Sequence, residues 1–400
     1  MYNSRLDGLT EYPFQRLNAL LADVAPPADL APIAMSIGEP QHTAPGLIHG
    51  ALTAHAEQWN KYPPTAGTPD YRAAVANWLT HRYGLPTGMI DADAHVLPVA
   101  GTREALFMAA QLAVPPRKQN ATPTVLMPNP FYQVYLGAAV MAGADPVFVP
   151  ATAATNFQPD YATVDSGTLT RACLAYLCSP ANPQGAVATM DELKTMIGLA
   201  RAHDFVLVSD ECYSEIYSAA PPTGMLQACA ELGGDMTNVL VFNSLSKRSS
   251  VPGLRAGFVA GDAKLLALFN RLRAHAGAVQ PLPVMAAATA LWQDEEHVEE
   301  NRALYRGKFD DAAEIFGLRF GYRTPDGGFF LWLDVGDSER IAKTLWRDGG
   351  IKVLPGAYLS RAGADGTSPG DSYIRVALVH DRETTSTALS RMADILAKEV

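Results

Sequence analysis

The order of strand and helix patterns along the 400-residue chain predicts an α/β protein. From about Ala94 to Gly261, short apolar runs rich in strand-forming residues alternate with longer patterns of helical period. This alternation is typical of a mostly parallel sheet with helices on both faces. After about Pro283 the strands become fewer and the helices longer, which indicates a second, smaller α+β domain.

Seven strands are predicted for the main sheet, and nearly all are apolar throughout, as strands buried on both faces should be. They are His95–Val99, Thr124–Met127, Pro146–Val149, Cys173–Cys178, Phe205–Ser209, Asn238–Phe242 and Ala256–Ala260. Between two of them a helix begins near Thr189, because Glu192 three residues later completes a capping box.

The C-terminal part is predicted to contain a long helix, a strand, a helix, a strand and a last helix. These elements are placed at about Val284–Phe316, Phe329–Val335, from Ser338, Ser372–Leu378 and Arg382–Lys398. The N-terminal segment is expected to pack beside them. We therefore divide the chain into a small-domain segment 1–45, a large domain 46–283 and a C-terminal small domain 284–400. Glycines make 361–371 the loop expected to be flexible.

Composition and charge limit the possible partners. The net charge of −10 and the lack of basic blocks argue against nucleic-acid binding. Charges interrupt the first 24 residues, and no apolar run approaches the roughly 20 residues that span a bilayer, so we expect a cytoplasmic protein without a membrane segment. The four cysteines lack Cys-x-x-Cys spacing, so neither a metal site nor a disulfide framework is expected.

The most informative segment is 244–257, SLSKRSSVPGLRAG, in which Lys247 lies among small hydroxyl residues. A lysine attaches to a carbonyl cofactor only when its amine can lose its proton, which a desolvated, cation-rich pocket promotes. Ser244, Ser246 and Arg255 would offer hydroxyl and guanidinium donors to a phosphate group. The alternative is a solvated loop lysine among turn-forming serines.

Asp210 ends an apolar run and so would lie at the carboxyl end of a sheet strand, where α/β folds place their ligands. A carboxylate there suits a protonated ring nitrogen, although a helix or turn cap is the alternative. Tyr213, three residues later, would reach the same ligand or pack as an ordinary aromatic. Asn182, in the turn SPANPQG, would present its amide.

Three further segments carry polar or aromatic candidates. Gly101, Thr102 and Arg103 open a helix after a strand, so backbone N–H groups could hold a phosphate, or the turn could be purely structural. Tyr132, in PNPFY, would stack on a ring or belong to the core. Arg375 lies inside an apolar strand, where burial is costly unless an anion, either a ligand or an internal acid, accepts its N–H groups.

The lysine segment resembles that of the class I/II aminotransferases, which use pyridoxal phosphate (PLP). The other motifs follow in that family's order and approximate spacing: Gly38, Tyr62, Thr102, Tyr132, Asn182, Asp210, Tyr213, Lys247, Arg255 and Arg375. The resemblance covers essentially the whole chain. It implies PLP fold type I, with a large cofactor domain and a smaller domain formed from both chain ends.

The resemblance also implies roles for these residues. PLP would be attached to Lys247, with its ring nitrogen on Asp210, its ring oxygen near Asn182 and Tyr213, and its ring face on Tyr132. The phosphate would be held by Gly101, Thr102, Arg103, Ser244, Ser246 and Arg255. The substrate's α-carboxylate would be bound by Arg375, Asn182 and the loop containing Gly38. Tyr62, in KYPPTAG, would reach the neighbouring subunit's phosphate, which implies a homodimer with shared active sites.

Finer details are similar to bacterial succinyldiaminopimelate aminotransferases, namely GTREALF at 101–107 and the segment from Arg5 to Phe14. This similarity implies N-succinyl-LL-2,6-diaminopimelate as amino donor and 2-oxoglutarate as acceptor, as in succinyldiaminopimelate transaminase (EC 2.6.1.17). Such a donor has a distal carboxylate, for which Arg103 is the first candidate and Arg248 and Arg16 are weaker ones.

Other activities stay open. Within the same chemistry, aspartate or N-acetylornithine could be the donor. The same scaffold supports β-elimination from cysteine conjugates. A regulatory domain that binds PLP is expected less, because no DNA-binding segment accompanies the motifs in this sequence.

Overall fold

The computed structural model describes residues 1–9, 11–363 and 366–400. Its strands are β1 (Ile33–Ala34), β2 (Val96–Val99), β3 (Thr124–Asn129), β4 (Asp145–Pro150), β5 (Ala172–Cys178), β6 (Val206–Asp210), β7 (Val239–Ser244), β8 (Gly257–Gly261), β9 (Phe330–Asp334), β10 (Ile351–Lys352), β11 (Leu354–Pro355) and β12 (Tyr373–Ala377). Its helices are α1 (Pro13–Leu21), α2 (Leu47–Ala54), α3 (Pro69–Tyr83), α4 (Thr102–Ala113), α5 (Gln133–Ala142), α6 (Ser166–Arg171), α7 (Met190–His203), α8 (Met225–Glu231), α9 (Leu245–Arg248), α10 (Ala263–Ala276), α11 (Leu282–Gln293), α12 (Glu296–Phe316), α13 (Ser338–Gly349) and α14 (Arg382–Glu399).

A seven-stranded sheet with the order β2-β8-β7-β6-β5-β3-β4 forms the centre of the molecule. Strands β3 to β7 run parallel to one another, whereas β8 is antiparallel to both β7 and β2. The inner strands are buried along their whole length, and the edge strand β4 is partly exposed. The predicted α/β class and all seven predicted strands are confirmed.

Helices cover both faces of this sheet, because alternate side chains of each strand point to opposite sides. Leu126 of β3 packs into the cluster formed with α3, α7, α8 and α11. Its neighbours Val125 and Met127 pack into the opposite cluster, with α4, α5 and α10. The apolar strands therefore form the middle layer of three, as predicted.

A smaller sheet with the order β11-β12-β9 is antiparallel and lies in the C-terminal part. Next to it, β1 pairs in parallel with β10, with Ile33 opposite Ile351. Ile33 and Met35 share one apolar cluster with Leu345 and Leu396. Residues from both chain ends thus form the smaller layer, while the bounds 1–45, 46–283 and 284–400 stay a prediction.

The single long helix predicted over 284–316 is wrong. The chain forms two helices, α11 and α12, separated at Asp294 and Glu295. This break brings the Asp294 carbonyl and a Glu295 carboxylate oxygen to the buried Arg248 guanidinium, at 3.2 and 2.5 Å. The break also has a local signal, because Asp294 Oδ1 accepts a hydrogen bond from the His297 backbone N–H at 3.2 Å, as a helix-capping side chain does.

Two further expectations concern loops and membranes. Of the loop 361–371 expected to be flexible, residues 364 and 365 lie outside the described residues. Within the described ranges, every helix is too short or too polar to cross a membrane.

Candidate active site

A cavity of about 610 Å³ opens at the carboxyl ends of β5, β6 and β7 and is closed on the other side by the smaller sheet. This is the edge at which parallel α/β sheets bind their ligands. It gathers most of the predicted site residues: Gly38, Thr102, Arg103, Tyr132, Asn182, Asp210, Tyr213, Ser244, Ser246, Lys247, Arg255 and Arg375. The N-terminal segment also contributes to the lining, through Tyr12, Pro13 and Phe14.

Lys247 projects into this cavity from α9, a helix of one turn that begins at the capping residue Ser244. Its Nζ donates a hydrogen bond to the Gly38 carbonyl oxygen at 2.5 Å. Burial lowers the pKa of Lys247 to about 8, and the positive charge of Arg375 acts in the same direction. A part of this amine is therefore neutral near physiological pH, which covalent attachment of a carbonyl compound requires.

Asp210 is the last residue of β6 and is buried. The Tyr135 hydroxyl donates to its Oδ2 at 2.7 Å, and the Cys212 backbone N–H donates to its Oδ1 at 3.3 Å. Burial raises the pKa of Asp210, and these two donors oppose that rise. The described residues provide no cation in ion-pair contact, so the carboxylate is suited to a positively charged group of a ligand.

Tyr135 is a functional residue that the sequence analysis missed. Its ring stacks on Tyr176 with 4.4 Å between centroids and 11° between planes, and this contact fixes the hydroxyl toward Asp210. A buried tyrosine on an apolar helix looks like core in the sequence. Its spacing of three residues from Tyr132 was the available signal, because residues three apart share a helix face.

Arg375 reaches the cavity from β12 and is 5% exposed. Its Nη1 donates to Asn182 Oδ1 at 2.9 Å and its Nη2 to the Ser36 carbonyl at 2.7 Å. Both acceptors are neutral, and the buried Nε has no partner among the described residues. Burial lowers the pKa of Arg375 to about 10. A buried guanidinium without an acid is a site for an anionic ligand.

A second anion site is formed where α4 begins. Gly101 has φ +86° and lies so close to the Arg255 guanidinium that a Cβ there would overlap it. The first N–H groups of α4 and the Arg255 side chain therefore converge with Ser244 and Ser246, whose hydroxyls are 2.9 Å apart. Ser244 also pairs with Gly257 across β7 and β8, which closes the loop that contains Lys247. These donors are suited to a phosphate dianion.

Aromatic side chains complete the cavity. The Arg103 Nε donates to the Tyr132 hydroxyl at 2.8 Å, and Tyr132 lies edge-on to Tyr135. Tyr213 packs edge-on against Phe329, with 5.4 Å between centroids. Arg103 forms no ion pair within the part of the chain that the structure describes, including with the acids of its own helix.

Three predicted residues lie elsewhere. Tyr62 is fully exposed and outside the cavity, and its predicted contact with a neighbouring subunit stays a prediction. Arg248 was wrongly considered for the distal carboxylate: it is buried outside the cavity and bonded to the Leu291 carbonyl and to Glu295. Arg16 also lies outside, over the Tyr358 ring at 3.9 Å, so that candidate is corrected too.

Taken together, the cavity has the groups that PLP requires. A neutralisable lysine can attach its carbonyl carbon, a buried carboxylate can hold its ring nitrogen, and converging N–H and hydroxyl donors can hold its phosphate. The unpaired Arg375 leaves a place for the carboxylate of an amino acid beside it.

Residues 32–392 match the model of the family described as aminotransferase class I and II. The chain is 34% identical, over 90% of its length and 92% of the relative's, to 4-dedimethylamino-4-oxo-anhydrotetracycline transaminase of Streptomyces rimosus. It is 31% identical, over 97% of each chain, to LL-diaminopimelate aminotransferase of Syntrophobacter fumaroxidans. The crystal structure of an aminotransferase from Neisseria meningitidis covers 100% of both chains with 42% identity and a TM-score of 0.94.

Proposed function

Because the chain belongs to the class I and II aminotransferases, a PLP-dependent family, we propose that it transfers the amino group of N-succinyl-LL-2,6-diaminopimelate to 2-oxoglutarate. The observation that carries this proposal is a pair of guanidinium groups in one cavity, Arg375 and Arg103. Neither forms an ion pair within the described residues. A donor with a second carboxylate far from its amino group would use both.

The reaction needs PLP for one property: when bound, it draws in the electron pair left when the α-carbon loses its proton. Asp210 would hold the ring nitrogen in its protonated form, and Tyr135 holds that carboxylate in place. Lys247 Nζ would be the base that takes the α-proton of a bound donor. Its lowered pKa keeps part of the amine unprotonated for this step.

Substrate binding would depend on residues of the smaller layer. Arg375 takes the α-carboxylate, with Asn182 fixing its Nη1. The loop that contains Ser36 and Gly38 touches both Arg375 and Lys247, so it covers the reacting atoms and excludes water from them. Arg103, exposed at the cavity mouth and oriented by Tyr132, would take the distal carboxylate.

The relative from Syntrophobacter fumaroxidans supports a diaminopimelate-type donor by its name. That name also makes free LL-diaminopimelate a second candidate donor. Aspartate, N-acetylornithine and a cysteine-conjugate β-elimination remain alternatives on the same scaffold.

We also propose a homodimer, in which Tyr62 reaches the partner's phosphate site. Tyr62 and Trp59, at 100% and 56% exposure, are large aromatic side chains close together in sequence on the surface. Large exposed aromatics are typical of protein interfaces. Sedimentation at several concentrations tests this proposal, and a species of one chain mass throughout would contradict it.

A single-turnover half-reaction tests the donor. The yellow PLP-loaded protein is mixed with N-succinyl-LL-2,6-diaminopimelate, LL-diaminopimelate, aspartate or N-acetylornithine, and its visible absorbance is followed. The expected result is the fastest bleaching with the succinylated donor and recovery of colour with 2-oxoglutarate. Faster bleaching with another donor discards the assignment, and release of pyruvate and ammonia from a cysteine conjugate without an acceptor favours elimination.

A further inference from the structure

A second cavity, of about 480 Å³, lies behind the lysine and is separate from the first. It is lined by the segment 41–45, by Ser249 and Ser250 just after α9, by α12, and by the start of α14. It shares no lining residue with the active-site cavity, and the reaction proposed above uses none of its side chains. Its polar groups nevertheless connect to Lys247.

Asn301 of α12 forms this connection. Its Nδ2 donates to the carbonyl oxygens of Lys247 and Arg248, at 3.1 and 3.2 Å. These are terminal carbonyls of α9, which cannot be bonded within so short a helix. Asn301 is 7% exposed, so the contact lies in the interior. The backbone of Lys247 is therefore held by a side chain that approaches from the second cavity.

The orientation of Asn301 follows from its own partners. Because both amide hydrogens go to carbonyls, its Oδ1 must accept, and His42 Nδ1 lies 2.8 Å from it. His42 must then donate from Nδ1, which leaves Nε2 as the acceptor in the neutral ring. Lys308 Nζ lies 2.7 Å from Nε2 and can donate to it, and it also donates to the Leu378 carbonyl at 3.0 Å. Hydrogen bonds thus run in one direction, from Lys308 through His42 and Asn301 to Lys247.

The segment 38–42, which contains His42, also contacts Lys247 from the side of the active-site cavity. Gly38, four residues before His42, accepts the hydrogen bond from Lys247 Nζ. Ser250, three residues after the lysine, donates through its Oγ to the His42 carbonyl at 3.1 Å. The segment 38–42 is therefore connected to Lys247 at two places. Gly38 binds the amine directly, and His42 is connected to the backbone through Asn301.

We propose that Asn301 is a positioning residue for Lys247, kept in its orientation by neutral His42 and by Lys308. It aligns α9 so that the lysine's amine points at the reacting atoms. The inference rests on the proposed role of Lys247. It adds Asn301, His42 and Lys308, which have no part in the reaction proposed above.

The hydrogen bonds that run from Lys308 to Lys247 depend on pH, because His42 accepts from Lys308 only while its ring is neutral. Titratable or charged groups near His42 are Lys308, Tyr305, Glu300 and His297 of α12, with Asp381 and Arg382 at the start of α14. A second proton on His42 would place an N–H against Lys308, and it would remove the acceptor that Lys308 uses. Burial and then Lys308 lower the pKa of His42. The chain of bonds is therefore intact above that pKa and breaks as the pH falls through it.

The test uses the PLP-loaded protein and the variants Asn301→Leu and His42→Gln. Leu304→Ala is the matched control, because Leu304 lines the same cavity on the same helix without a polar contact. The measurements are the PLP dissociation constant and the visible absorbance as functions of pH. Asn301→Leu should weaken PLP retention about tenfold, the size expected for losing buried hydrogen bonds, while Leu304→Ala should not.

His42→Gln supplies a donor and an acceptor that do not titrate. It should keep the absorbance at neutral pH and lose the acid-side change of the wild type. Burial also lowers the pKa of the neighbouring Lys308 to about 7, so His42→Gln is compared with the wild type by the midpoint of the acid-side change. Equal behaviour of Asn301→Leu and Leu304→Ala overturns the proposal, as does an acid-side change with the same midpoint and amplitude in His42→Gln and in the wild type. A separate control reduces the wild type with borohydride and locates PLP by peptide mass. Absence of PLP from Lys247 there would refute the proposed role of Lys247 itself.

Discussion

Two buried arginines of this molecule differ in whether the described residues give them an acidic partner. Arg302 on α12 and Arg375 on β12 are 7% and 5% exposed. Arg302 donates to the Glu215 carbonyl and carboxylate at 3.0 and 3.2 Å and also pairs with Glu299. Among the described residues, Arg375 has two acceptors, both neutral, and its Nε has no partner. Burial alone therefore does not mark a ligand site; a missing counter-charge does.

The largest expected effect follows from replacing Arg375, the buried arginine without an acidic partner among the described residues. Arg375→Leu should lower kcat/KM for amino-acid donors about 1000-fold, because a buried charge-assisted pair with the carboxylate is lost. The melting temperature should stay the same or rise, because an unpaired buried cation is removed. Steady-state kinetics and thermal unfolding check both parts, and a large loss of stability would break the contrast.

Arg302→Leu should show the opposite pattern. Of the ion-pair partners that the described residues give the buried Glu215, Arg82 would remain, with its Nε 2.5 Å from Glu215 Oε1. Removing one member of such a buried group costs about 3 kcal/mol of the free energy of unfolding. Chemical denaturation measures this cost. Activity per folded molecule should change little, and a selective loss of kcat/KM would contradict the distinction.

A variant of Arg103 tests whether the cavity also binds a second carboxylate of the donor. Arg103→Leu should raise KM for dicarboxylic donors about tenfold, since a partly exposed charge pair contributes little more than 1 kcal/mol. Neutral amino acids should be affected far less. Equal changes for the two donor classes would remove Arg103 from the substrate site.

Asp210 is the acidic counterpart of Arg375, since it is buried without a cation from the described chain. Tyr135→Phe removes its hydroxyl donor, whereas Tyr176→Phe removes a hydroxyl of the stacked neighbour that bonds the Leu106 carbonyl. We expect Tyr135→Phe to weaken PLP retention about fivefold more than Tyr176→Phe, in keeping with one hydrogen bond to a charged group. Equal PLP dissociation constants would show that the tyrosine only packs.

The smallest effect concerns pH. The rate of PLP attachment to the cofactor-free protein should rise with pH through about 8, because the Lys247 amine must be neutral. Arg375→Leu removes a positive charge that lowers this pKa, so the midpoint should move to higher pH. Arg302→Leu should leave it unchanged. Stopped-flow absorbance against pH measures both midpoints, and an unshifted midpoint in Arg375→Leu would show that Lys247 does not sense that charge.

The fold was predictable wherever neighbours in sequence decide the structure. The strand Thr124–Asn129 has an apolar middle and is buried along its length, and the capping box at Thr189 marks where α7 begins. The break between α11 and α12 carries a local signal that the prediction overlooked, because Asp294 accepts a hydrogen bond from the His297 backbone N–H. Tyr135, His42 and Asn301 were missed for a different reason. Their partners are remote in sequence, whereas Lys247, Asp210 and Arg375 stand out against apolar or small-residue surroundings.

The pairing of Ser244 with Gly257 makes one half of the site local in the chain. Ser244, Ser246, Lys247 and Arg255 are brought together by closing one short loop. The proposed site for the substrate's carboxylate instead depends on the contact between Arg375 and Ser36, which are 339 residues apart. Closing a short loop costs less entropy than closing a long one, and local contacts form sooner. The arrangement of Ser244, Ser246, Lys247 and Arg255 should therefore form before the contact between Arg375 and Ser36 during folding, so the donors that this loop contributes to the phosphate site are in place before the carboxylate site is.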